Sequence, residues 1–345
     1  MPSSSIVHAA CFAVGALVGG GVATALSASS SKRALPVPTE PPKAPLVQTQ
    51  PTGAPKFSTP VTLVKVDSEV LRHGHPGPIS DLLVRKAYVA SYDRRLKHPA
   101  WTAEHLTLAS LGKSTVEPRP TTGSAVDRSK STFAEDTSVP ETFRAKLKDY
   151  FRSGYDRGHM VPAADAKISQ EAMDETFLLT NIAPQVGDGF NRHYWAYVED
   201  WCRRLTGTFA DVYVFTVPLY LPKLDADGKW RVHHEVIGTP PNIGVPTHFA
   251  KVVLTTKPSS PSTPHIPEIS TGAFVLPNAV IPDQVALENF VVPIEAVERA
   301  AGLTFFSDEI KAASKHICKT TKCEVIVRRF DDAQKNARKA IAAPK

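Results

Sequence analysis

Ser153-Gly154-Tyr155-Asp156-Arg157-Gly158-His159-Met160 brings an acid, a guanidinium and an imidazole together around two glycines. Glycine lets a backbone approach a ligand closely. A neutral histidine titrates near physiological pH and can accept a proton in a reaction. In an extended segment Arg157 lies on the same side as His159, because strand side chains alternate between faces. An arginine fork beside a general base suits a negatively charged, tetrahedral group such as a phosphodiester. The competing reading is a histidine held in a structural ion cluster by Asp156, and a motif this short does not decide between the two.

Downstream lie Thr180-Asn181-Ile182-Ala183-Pro184-Gln185 and Phe190-Asn191-Arg192-His193-Tyr194-Trp195-Ala196-Tyr197-Val198-Glu199. Together with the first stretch they resemble the DNA/RNA non-specific endonucleases with a ββα-metal site, in their endonuclease G branch. The resemblance extends through Tyr92-Asp93, Val217-Pro218-Leu219, Val245-Pro246-Thr247-His248-Phe249 and Val292-Pro293-Ile294-Glu295, covering roughly residues 60 to 307. It implies a Mg²⁺-dependent hydrolase of DNA and RNA (Mn²⁺ substituting), mitochondrial, in the inner membrane or intermembrane space, and a homodimer.

Phosphodiester hydrolysis needs a deprotonated water, charge relief on the phosphoryl oxygens and help for the leaving alkoxide. His159 fits the first role and Mg²⁺ the other two. Magnesium takes hard oxygen ligands and keeps most of its waters, so one protein oxygen suffices. The resemblance puts that ligand at Asn191. Glu199 follows eight residues later, about 12 Å of rise and about 80° of rotation along a regular helix. The two side chains then do not meet one ion head-on, so Glu199 is expected to hold a water of the metal or Arg157, against the alternative of an exposed helix carboxylate. Asn181 is expected to orient the waters of the metal or the neighbouring backbone, or else to be a structural turn residue. Relatives place a phosphate-holding arginine near residues 128–130. Arg128 and Lys130 both lie there, and the resemblance does not choose between them.

The net charge of +6 is unevenly spread. Residues 61–160 carry 16 bases and 12 acids, residues 161–307 carry 10 and 16, and residues 308–345 carry 10 and 5. Positive charge therefore accumulates up to and through the histidine motif, where a phosphate backbone would be held. A solvated basic face is the plainer explanation, and the charge supports the nuclease reading only as an addition to the motifs.

Residues 6–26 form an uncharged apolar run of 21 residues, long enough to span a bilayer as a helix, with Gly15 and Gly19 in a GxxxG spacing. It reads as a membrane anchor or sorting signal, and the Pro/Ser-rich stretch to residue 60 as an extended linker. The nuclease domain is expected over 61–307 and a basic extension over 308–345. A membrane-tethered nucleic-acid-binding protein with an inactive site is the alternative function, and the presence of His159, Asn191 and Glu199 argues against it.

Residues 82–92 alternate as one strand, and 113–142 read as a long surface loop. Tyr194, Val198, Trp201 and Leu205 form the stripe of a buried helix face. Strands are expected over 211–221, 247–256 and 272–276, with a short helix starting near Pro293. After Ser307 the pattern predicts a helix over 308–319, a strand over 324–330 and a helix over 331–342. Strands and helices without regular βαβ alternation indicate an α+β fold, a mixed sheet core carrying the ββα-metal motif. Phosphate-loop, GxSxG and HExxH patterns are absent, which disfavours triphosphatases, serine hydrolases and zinc proteases. Of the four cysteines, Cys11 and Cys202 read as free, and Cys318 and Cys323 are spaced to close a small disulfide in an oxidising compartment.

Overall fold

The computed structural model describes Arg72 and residues 77–114 and 126–327, all within one compact unit, Glu69–Lys345. The apolar run 6–26, the linker and the helix expected over 331–342 lie outside the described residues. Among the described residues no helix is long and apolar enough to cross a membrane.

The chain opens with β1 (Ser80–Val84), β2 (Tyr88–Asp93) and β3 (His98–Leu106). The alternation over 82–92 is thus a hairpin and not one strand, turning where Arg85 N–H bonds to Tyr88 C=O at 2.8 Å. The second arm alternates with Tyr88, Ala90 and Tyr92 buried, while the first buries Leu83 between exposed Leu82 and Val84, so the buried side changes parity across the turn. β3 breaks the alternation that would announce it, because its buried side carries His98, Thr102 and Glu104.

Next come β4 (Asp156–His159), α1 (Gln170–Glu175), β5 (Ile182–Gln185), α2 (Trp195–Leu205) and β6 (Asp211–Leu219). Two short hairpins follow, β7 (Lys223–Leu224) with β8 (Trp230–Arg231) and β9 (Val236–Ile237) with β10 (Ile243–Gly244). β11 (His248–Pro258), β12 (Pro267–Pro277) and β13 (Val291–Val292) lead to α3 (Ile294–Ala301), α4 (Asp308–Ala313), β14 (Lys315–His316) and α5 (Ile317–Thr320). The main sheet runs β1-β2-β3-β6-β11-β12-β13, and β14 joins β12 in parallel. All other pairs in it are antiparallel, so the architecture is α+β with a mixed sheet.

One sheet face packs on α2. Tyr194, Val198, Trp201 and Leu205 are buried as the stripe predicts, in one cluster with Val214, Phe249, Val253 and Phe274. Removing that much apolar surface from water contributes about 1.5–3 kcal/mol per large side chain. α3 covers the opposite face with Ile294 and Val297 against Leu219, Val252 and Ala273.

The segment after Ser307 is built into this core. The helix expected over 308–319 stops at Ala313, because β14 pairs with β12 and Ile317 is fully buried. Residues 324–327 form no strand. Cys318 and Cys323 are disulfide-bonded, Trp201 Nε1 donates to Lys322 C=O at 2.9 Å, and Cys202 is free and buried.

Candidate active site

β4 and β5 form a two-stranded ribbon whose register sets His159 opposite Ile182 and Gly158 opposite Ala183. A Cβ on Gly158 would fall 2.2 Å from Cδ and Oε1 of Gln185, a side chain that is fully buried. Only a residue without a side chain lets the ribbon close there. The alternation along β4 sends Arg157 and His159 into one cleft of about 830 Å³, which Arg128, Asn191, Glu199 and Arg203 also line.

The third piece is the helix. The chain enters it through a kink at Asp188 and Gly189, whose backbone is not helical, and the first turn after the kink is wider than an α-turn: Trp195 N–H bonds to Phe190 C=O, five residues back. Gly189, at φ +75°, carries the chain into this turn. Wide turns of this kind occur often at functional sites. Their underwinding reduces the rotation between Asn191 and Glu199 below that of a regular helix, and both side chains line the same cleft.

Asp156 does not hold His159. Its carboxylate accepts Asn191 Nδ2 at 2.9 Å, Arg192 Nε at 2.8 Å and Arg192 Nη2 at 2.6 Å. Burial opposes its charged form, but these bonds prevail and keep the carboxyl below the ordinary range. Because Nδ2 of Asn191 is spent on Asp156, Oδ1 is the atom the amide can offer a cation.

His159 is 9% exposed, and its Nε2 is buried without a hydrogen-bond partner among the described residues. Its ring is packed between Phe133, at a centroid distance of 5.3 Å, and Phe177, at 4.7 Å. Burial, and then the charge of Arg128, lower its pKa to about 3, so the imidazole is neutral at physiological pH. Arg157 lies over the Phe133 ring at 4.4 Å and Arg128 over Phe177 at 5.5 Å. The two aromatic rings thus separate and orient the base and both guanidiniums.

Phe133 and Phe177 are the residues the sequence reading missed. Phe133 sits in the stretch read as a loose loop, which is zipped to residues 177–179 by Ala134 N–H to Phe177 C=O (3.2 Å) and Leu179 N–H to Ala134 C=O (2.8 Å). Arg203 was missed as well. It pairs with Asp165 at 2.7 Å and ties α2 to the turn that follows His159. The position of Arg203 four residues, about one helical turn, after Glu199, on the arginine-rich end of α2, is the only signal for it in the sequence.

Glu199 is partly buried, not an exposed helix carboxylate. Burial raises its pKa to about 7, against the attraction of Lys251 and Arg203. Lys251 is buried behind the site, donating to Thr216 Oγ1 at 2.6 Å, with Met160 C=O at 3.5 Å and Glu104 at 4.0 Å.

Asn181 corrects an expectation. It is fully buried and does not line the cleft. Its amide is spent on backbone, accepting from Val161 N–H at 3.0 Å and donating to Val161 C=O and Thr176 C=O at 2.9 Å each. Of the roles considered for it, the geometry matches the one of holding the backbone beside His159.

The donor set fits a hard, well-hydrated divalent ion. Asn191 Oδ1 is available, the Glu199 and Asp156 carboxylates line the same cleft, and no soft ligand is among its lining residues. No cluster of three or more His, Cys, Asp or Glu with metal-ligand geometry occurs among the described residues.

The profile of the DNA/RNA non-specific endonuclease family matches residues 66–311. The chain is 47% identical over 272 residues to "Nuclease 1, mitochondrial" of Schizosaccharomyces pombe, covering 79% of this chain and 80% of that protein. It is 46% identical over 285 residues to the "Mitochondrial nuclease" of Saccharomyces cerevisiae, covering 82% and 83%. Human "Endonuclease G, mitochondrial" is 40% identical over 237 residues, covering 69% and 73%. A chain in the crystal structure of the EndoG/EndoGI complex superposes with a TM-score of 0.61 at 43% identity, covering 72% of this chain and 94% of that one. The profile spans well over half of the sequence and the relatives align over most of their own length, so this chain belongs to the DNA/RNA non-specific endonuclease family.

Proposed function

We propose that this chain is a Mg²⁺-dependent, sugar-non-specific endonuclease in which His159 is the general base. The observation that carries the reading is a neutral imidazole lining one cleft with Arg128, Arg157 and Asn191. Asn191 would hold the ion through Oδ1. When bound, Mg²⁺ supplies Lewis-acid relief of the charge on the phosphoryl oxygens and the leaving alkoxide.

The protein does the rest. Arg157 and Arg128 bind the phosphate oxygens and fix the diester in the cleft. Nδ1 of His159, the ring nitrogen not closed off from solvent, takes a proton from the attacking water, and the packing of the ring between Phe133 and Phe177 holds it in place. Glu199 and Arg203 orient water and phosphate from the side of α2. Because the nucleophile is external, the 2′-hydroxyl of the substrate is unnecessary, and DNA and RNA are both cut. The names of the relatives support a mitochondrial location. Anchoring through residues 6–26 at the inner membrane or intermembrane space, and assembly as a homodimer, belong to the same proposal.

The test is nicking of a supercoiled plasmid, and degradation of a structured RNA, with Mg²⁺ and with a chelator. Cutting of both in Mg²⁺ and of neither in chelator is expected. Chelator-resistant cutting, or binding without cutting, would overturn the reading.

A further inference from the structure

Phe151 is 73% exposed and belongs to none of the hydrophobic clusters, yet its position is tightly fixed. Its N–H bonds to Lys148 C=O at 3.2 Å. Ser153 Oγ then donates to Tyr150 C=O at 3.0 Å and accepts from Tyr155 N–H at 3.2 Å, which closes the turn that leads into β4. Arg152, inside that turn, has φ +55°, a left-handed conformation that costs a non-glycine residue. Its guanidinium lies 5.0 Å over the Phe151 ring. A strained, hydrogen-bonded turn therefore holds an aromatic ring in water, five residues before Asp156, at the cleft that also holds Arg157 and His159.

The fold makes no use of this ring. Single exposed apolar residues need no explanation, but an aromatic with an arginine on one face and a basic catalytic cleft beside it has a specific chemistry. Aromatic rings interleaved with arginines bind single-stranded nucleic acid, the guanidiniums tracking phosphates and the rings stacking on bases. We propose that Phe151 is a stacking platform for one unpaired nucleobase near the bound phosphate, and that it gives the enzyme a preference for single-stranded stretches. Inside a duplex both faces of a base are already stacked on neighbours, so only an unstacked base has a face to offer. The proposal rests on the nuclease reading above and adds a specificity-determining residue to it.

The test compares the full chain with Phe151→Ala and Phe151→Trp on two strands, an oligothymidylate and a strand of equal length made of abasic deoxyribose phosphate. Phe151→Ala is expected to lower kcat/KM on oligothymidylate by about 5- to 150-fold, the range for losing one base–aromatic stack. On the abasic strand it should match the unsubstituted chain, and Phe151→Trp should keep full activity on both. No loss on oligothymidylate, or an equal loss on both strands, overturns the proposal. Light scattering covers the rival occupant: if Phe151→Ala changes the oligomeric state and not the base dependence, a second copy covers the ring and the proposal fails. In Phe151→Trp, fluorescence beyond that of the unsubstituted chain should be quenched by oligothymidylate and not by the abasic strand. That signal needs no cleavage, so failure of the stacking is distinguishable from failure of the nuclease reading.

Discussion

Asn191 gives Nδ2 to Asp156 Oδ2 at 2.9 Å, and this one bond decides which atom of the amide is left for a cation. The same carboxylate takes Arg192 in a two-pronged pair, so Asp156 sets the geometry of the first helical turn. Asp156→Ala is expected to raise the Mg²⁺ concentration for half-maximal cleavage by about 10- to 100-fold, the usual cost of losing a partner that orients a metal ligand. Asn191→Ala should weaken Mg²⁺ binding and activity together. If calorimetry finds unchanged metal affinity in Asn191→Ala, the ligand lies elsewhere, with Glu199 the next candidate.

His159 is assigned to water and not to the ion. His159→Ala should therefore lower kcat by about 10²- to 10⁴-fold, while Mg²⁺ affinity and binding of uncleaved DNA stay as they are. Steady-state kinetics beside a metal titration separate the two roles. Loss of metal affinity in this variant would make the histidine a ligand and remove the general base from the mechanism.

Burial also gives His159 a signature in stability. Its folded pKa is about 3, and His98 and His248 are both lowered to about 4 by burial, against an ordinary value of 6.5. Between those values the unfolded chain binds more protons, so each histidine makes stability rise with pH and fall on acidification from about 6.5. Glu199, raised to about 7, contributes the opposite slope above about pH 4.5. The clean comparison is thus a difference between variants. His159→Gln should flatten the pH dependence of the unfolding free energy between pH 4.5 and 6 by about 1.4 kcal/mol per pH unit. Urea titrations at several pH values measure it, and parallel curves for the two proteins would mean that the native imidazole titrates normally.

What was legible in the sequence follows from how local its cause was. Arg157 and His159 could be paired from strand alternation alone, and the α2 stripe from the helical period, because both rest on backbone geometry. β3 was not legible, since its buried side is partly polar, with Thr102 and Glu104 facing inward toward Lys251. The shared cleft of Asn191 and Glu199 depends on a wide turn, which composition does not announce. Phe133 and Phe177 act through packing between segments 44 residues apart in sequence. Asn181 looked chemical because of its neighbours, but three bonds to the backbone consume its amide.

Gly158 offers a test of the ribbon itself. A methyl there would meet the buried Gln185 side chain at 2.2 Å, so that side chain or the strand must shift. Gly158→Ala should destabilise by about 1–3 kcal/mol, the usual cost of overpacking. Adding Gln185→Ala should recover part of the loss by clearing the space. Thermal or urea unfolding of the single and double variants decides it, and a double variant no more stable than Gly158→Ala would place the constraint in the backbone instead.

Asp165 and Arg203 make the remaining connection between α2 and the turn after His159, at 2.7 Å with side chains 2% and 13% exposed. Breaking a buried pair from one side strands the other charge, typically at about 3–5 kcal/mol. The two sides are not equivalent here. Arg203 keeps a second carboxylate, Asp200, at 3.9 Å, whereas the charge of Asp165 acts unfavourably on buried Glu104. Arg203→Met should therefore destabilise more than Asp165→Leu, and the double variant should lose less than the two single losses together. Denaturant unfolding of all four proteins at one pH gives the cycle. Additive losses would show that the pair is not coupled, and Arg203 would then be held in the cleft by Asp200 alone.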